Sequence, residues 1–169
     1  STRATDVAAA IDAAGIVCRP SPAIATVIWS KYVGWNALTL AAVLTRRTTD
    51  DFLRDPDSAL IVARITREMG ALAAARGIPL RDQSPLPVAS IVQATEADAV
   101  RLVQDTGETF ARVARGHRMS SLQDVTRGTP LELEETVGHA LAAARELALD
   151  MPVTALCYRL VASIDRGLC

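Results

Sequence analysis

From Ala23 to Leu44 the chain is almost entirely apolar, and a lysine sits within that run. A stretch of this length and character has two destinations: a bilayer or the middle of a helical core. Lys31 decides between them, because a lysine at the centre of a membrane-spanning helix costs about 2.5–3.5 kcal/mol even on a permissive insertion scale. Ser30, Asn36 and several threonines add to that cost, and amphipathic helices follow the run. It reads as a buried central helix, with no membrane association.

The rest of the chain carries helical periodicity with clear punctuation. Asp6–Ala14 reads as a short helix closed by Gly15, and Val17–Pro22 as an extended connector. Ser21 and Pro22 then cap and open the long helix, which runs to about Leu44 before Arg46 and Arg47. Thr49-Asp50-Asp51 caps a short turn. Asp55-Pro56 announces a second long helix, with Leu60, Ile61, Ala63, Ile65, Met69 and Leu72 apolar and Gly77 as its stop. A loop with three prolines spans Ile78–Val88, and helix resumes from Val88 to Ala114. Ser120–Arg127 forms a short helix closed by Gly128. Thr129-Pro130-Leu131-Glu132 has the form of a capping box that starts a helix lasting to Leu149. A last helix covers Val153–Asp165. No segment alternates with period two, so the fold class is all-α, a multi-helix bundle in one domain.

Composition excludes several functions. A net charge of −1 and 4% aromatic residues offer neither a basic footprint nor a stacking surface for nucleic acid. Cys18, Cys157 and Cys169 lack metal-ligand spacing, so no metal site is expected and a reducing, cytoplasmic setting is the simplest reading. No G-x-G pair occurs, hence no dinucleotide or phosphate loop in this chain. His117 and His139 are isolated and read as structural or solvent-facing.

Of 18 basic residues Lys31 is the one lysine, and Asn36 is the one asparagine. Coding bias accounts for the scarcity but not for the position. Residues 31, 35 and 39 share a helix face, since four residues turn an α-helix by about 400°, which aligns Lys31, Trp35 and Thr39. A buried amine there would have its pKa pushed down by lost solvation, which suits a proton donor. The plainer alternatives are a lysine reaching the surface and a Glu132 that only completes the capping box.

Together these features resemble the ketopantoate reductase (2-dehydropantoate 2-reductase) family. Trp29-Ser30-Lys31 is similar to its W-x-K-x-x-x-N-x-x-x-N helix. Ser120-Ser121-Leu122-Gln123-Asp124, then Glu132, Gly138 and Pro152, resembles its S-M-x-Q-D…T-E-x-D…G…P block. Glu68 and Gly77 also fall at family positions. The resemblance implies a helical domain like the C-terminal domain of 6-phosphogluconate dehydrogenase, preceded in the whole protein by a Rossmann domain that binds NADPH. Ser1 in place of an initiator Met agrees with a fragment. It further implies Lys31 as general acid to the C2 carbonyl oxygen, Glu132 as the active-site glutamate and Ser120 as a substrate contact. Trp35 and Thr39 stand where the family has asparagines, and Asn36 lies one residue off that register; all three are candidate substrate contacts. The implied activity is reduction of ketopantoate or another small 2-oxo acid in pantothenate biosynthesis, by a homodimer. The alternative is a non-catalytic helical domain for dimerisation or partner binding.

Overall fold

The computed structural model describes residues 2–83 and 85–168, and these contain nine α-helices, one π turn and no strand. Ser1, Ser84 and Cys169 lie outside the described residues. The elements are α1 (Thr2–Ala13), α2 (Ile24–Thr45), α3 (Thr49–Arg54), α4 (Pro56–Ala75), α5 (Val88–Gln93), α6 (Glu96–Val113), α7 (Ser120–Arg127), the π turn (Glu134–Gly138), α8 (His139–Glu146) and α9 (Pro152–Arg166).

The apolar run becomes the axis of the bundle, as its composition requires. Helix α2 packs against α3, α4, α5, α7 and α9. Its C-terminal half is buried nearly all round, from Val33 to Val43 with only Trp35 partly open. Its N-terminal third is not: Ile24, Ile28 and Lys31 are exposed. The expected buried amine at position 31 is thereby corrected. The run is long enough to reach beyond the core, and Lys31 lies on the part that does. No helix among the described residues is long and apolar enough to cross a membrane.

Several punctuation signals act as expected. The Asp55 carboxylate accepts from Ser58 N at 3.0 Å with Pro56 in the first turn of α4. Gly128 closes α7 at φ 71°. Others differ. Helix α2 starts at Ile24 rather than Pro22; Ser21 Oγ instead accepts from Ala23 N at 3.2 Å. The helix from Val88 is interrupted after Gln93, because the Thr95 hydroxyl accepts from Asp98 N and begins α6 anew. Gly107 permits α6 to lie directly on α3, since a Cβ there would stand 2.9 Å from Arg54 N.

Helix α8 ends at Glu146, short of Leu149, with Ala148 at φ 52° and Leu149 N donating to Ala144 O at 2.9 Å. That left-handed cap favours glycine. Ala148→Gly should stabilise the domain by about 0.5–1 kcal/mol, read as a thermal midpoint raised by roughly 1–4 °C. A lowered midpoint would count against it.

Candidate active-site cleft

The predicted capping box at Thr129–Glu132 does not form. Residues 129–132 are non-helical, and the next element begins at Glu134. The local chain finds other partners: Leu131 N donates to Asp165 Oδ1 of α9 at 2.8 Å, and the Thr136 hydroxyl donates to Glu132 O at 2.5 Å. The backbone then winds as a π turn, with Gly138 N donating to Leu133 O five residues back at 3.0 Å. Tyr32 on α2 locks the turn by donating its hydroxyl to Thr136 O at 2.6 Å. Burial pushes the Tyr32 phenol above its ordinary pKa, so it remains a donor. Tyr158 on α9 donates to the Glu134 carboxylate; that bond, with burial, raises its pKa too.

Held in this way, the 129–136 segment faces α2 and α7 across an open cleft of about 250 Å³. Trp35 and Thr39 contribute from α2, Ser120, Ser121 and Asp124 from α7, and Glu132 from the segment itself. Thus four of the residues singled out from sequence, Trp35, Thr39, Ser120 and Glu132, line one concavity although they span nearly a hundred positions. The Glu132 carboxylate makes no hydrogen bond or ion pair to another described residue, so the structural alternative of a capping glutamate is removed.

Lys31 is on an adjoining surface hollow with Ile28, Tyr32 and Trp35. Trp35 belongs to both concavities, so the lysine stands one helical turn along α2 from the cleft. Asn36 is placed elsewhere. It is fully buried, donates through Nδ2 to Tyr32 O at 2.9 Å, and is not among the cleft residues. A neighbour of Trp35 in sequence, it is turned about 100° from it on the helix, away from the cleft face.

Ser121, Asp124 and Thr136 also line the cleft without having been singled out as contacts. Ser121 and Asp124 stand inside the quoted Ser120–Asp124 motif, whereas Thr136 carries no signal in the sequence. Among the described residues no cluster of His, Cys, Asp and Glu could hold a metal ion.

This helical arrangement is shared with solved oxidoreductases. A 2-dehydropantoate 2-reductase from Methylococcus capsulatus is 28% identical, with a TM-score of 0.75 over 99% of this chain and 52% of its own. A dimeric ketopantoate reductase from Staphylococcus aureus is 19% identical, with a TM-score of 0.65 over 91% of this chain and 46% of its own. A D-mandelate dehydrogenase solved with NADH and anilino(oxo)acetate is 16% identical, with a TM-score of 0.79 over 99% and 62%. The chain therefore spans only about half the length of these proteins. No curated protein matches it by sequence. The chain belongs to the ketopantoate reductase PanE/ApbA C-terminal family, whose model matches residues 23–165.

Proposed function

We propose that this domain is the substrate-binding and proton-donating half of a two-domain reductase that converts a 2-oxo acid to the 2-hydroxy acid. Ketopantoate, and hence pantothenate biosynthesis, is the first substrate to test. The observation that carries the reading is the cleft itself, which unites Ser120 and Glu132 with the Trp35–Thr39 face of α2 and has Lys31 one turn away.

The described residues contain no strand and the sequence no G-x-G turn, so a nicotinamide dinucleotide has no cradle here. A preceding Rossmann domain is proposed to hold it, with NADPH as the expected form. When bound, that cofactor would supply the hydride for C2.

This chain's residues would manage the charge and the proton. Ser120 and Thr39 offer hydroxyl donors to the substrate. Lys31 would meet the negative charge growing on the C2 oxygen and release its proton there. Glu132, on the cleft wall, would orient the substrate by accepting a hydrogen bond from it. The exposed Ile24 and Ile28 beside Lys31 suit a covering domain, and Leu156 and Leu160, exposed one turn apart on α9, suit a homodimer. Cys18 and Cys157 are unpaired, in keeping with a cytoplasmic setting.

The test uses the full-length gene product with a panel of 2-oxo acids and either NADPH or NADH. Reduction of at least one acid is expected, with kcat/KM lowered on the order of a hundredfold in Glu132→Gln. No reduction of any acid with either cofactor would overturn the reading.

A further inference from the structure

Glu132 is placed by a different means from the other polar residues of the cleft. Trp35, Thr39, Ser120, Ser121 and Asp124 ride on α2 and α7, whereas residues 129–132 are non-helical and Glu132 is exposed. A side chain on irregular backbone is only as well placed as the bonds that tie that backbone down.

Two such ties come from α9. Leu131 N, one residue before Glu132, donates to Asp165 Oδ1 at 2.8 Å, and the Glu134 carboxylate, two residues after it, accepts from the Tyr158 hydroxyl. Positions 158 and 165 are close to two full helical turns apart, so one face of α9 grips the chain on both sides of Glu132. Between the two grips Leu133 is buried in the core.

Asp165 is also out of place by the rules of its own helix. It lies in the last turn of α9, where the negative end of the helix dipole suits a cation such as Arg166 and disfavours a carboxylate. A residue that opposes its local preference points to a demand set elsewhere in the fold. Here that demand is the Leu131 amide, which a carboxylate meets with a charge-assisted bond.

We infer that α9 acts as a splint for the Glu132 carboxylate, with Asp165 as the positioning residue that acts through Leu131. This rests on the proposed role of Glu132 in orienting a 2-oxo acid and adds the residue that holds it to that task.

The experiment is a double-mutant cycle on the full-length protein with its best 2-oxo acid. Asp165→Ala should lower kcat/KM by about tenfold, since even a small displacement of an orienting group is felt in the rate. Asp165→Asn keeps an oxygen that accepts from Leu131 N and should recover most of that loss. In a Glu132→Ala background no carboxylate remains to be placed, and Asp165→Ala should cost less than about twofold. Tyr158→Phe, which removes only a hydroxyl, should depend on Glu132 in the same way and carries the test if Asp165→Ala fails to fold. Calorimetric binding of the acid repeats the cycle without turnover, and thermal midpoints show that each variant is folded. A loss from Asp165→Ala or Tyr158→Phe that is as large without Glu132 as with it overturns the inference and leaves the reductase reading standing. So does an Asp165→Asn protein as impaired as Asp165→Ala. Full activity in Glu132→Ala would remove the role of Glu132, and the inference would fall with it.

Discussion

Exchanging Lys31 for arginine in the full-length protein is expected to lower kcat by about 10²–10⁴, the range general acid catalysis supplies. Arginine keeps the positive charge and much of the reach, yet it cannot give up a proton near neutral pH. The exchange therefore separates proton donation from electrostatic attraction. Lys31 is exposed and forms no ion pair with a described residue, so the substitution should change stability by no more than about 0.5 kcal/mol. A fall in rate then reports on chemistry. Steady-state and single-turnover rates with the best 2-oxo acid provide the check. A raised KM with unchanged kcat would mean that Lys31 only holds the substrate, and the acid role would be lost.

The second large effect concerns stability. Glu68 stands on α4, and its carboxylate reaches across to the start of α9, accepting from Val153 N at 3.0 Å, Thr154 N at 2.8 Å and Thr154 Oγ1 at 2.6 Å. Helix α9 has no side-chain cap of its own at Met151, so Glu68 serves as a cap borrowed from another helix. Its negative charge also faces the positive end of the helix dipole. Glu68→Ala should cost about 3 kcal/mol, because charged hydrogen bonds are lost and two amides at a packed helix end go unanswered. For a domain of this size that is a midpoint lowered by roughly 6–12 °C. Thr154→Val, which deletes one of the three bonds, should cost about 1 kcal/mol. Equal midpoints for Glu68→Ala and the wild type would show that the carboxylate is not a cap. The effect should also reach the cleft, since α9 carries Asp165, which fixes Leu131 beside Glu132.

What could be read from sequence was whatever local chemistry decides. The Asp55-Pro56 start, the Gly128 stop and the central position of the apolar run follow from caps, dihedral preference and hydrophobicity. So did the shared face of Trp35 and Thr39, which is helix geometry alone. The failures are tertiary. Thr129–Glu132 has a sound capping pattern, but Asp165 captures the Leu131 amide and Tyr32 captures the Thr136 carbonyl, so the local solution is outbid. Lys31 was expected to be buried because its neighbours are apolar, whereas burial depends on how far the bundle extends along α2. Ser121 and Asp124 stand in the quoted motif, but that both line the cleft depends on how α7 packs against α2, which is not written in a sequence.

The π turn at Glu134–Gly138 has one more consequence. A π turn accommodates one residue beyond what an α-helix of the same rise needs. Deleting a single residue between Glu134 and Gly138 would let ordinary helix span the same rise, so α8 and the segment carrying Glu132 would keep their places and only the bulged peptide that Tyr32 holds would be lost. The turn is thus slack in the chain, which lets one more residue fit between Glu132 and α8 without moving either.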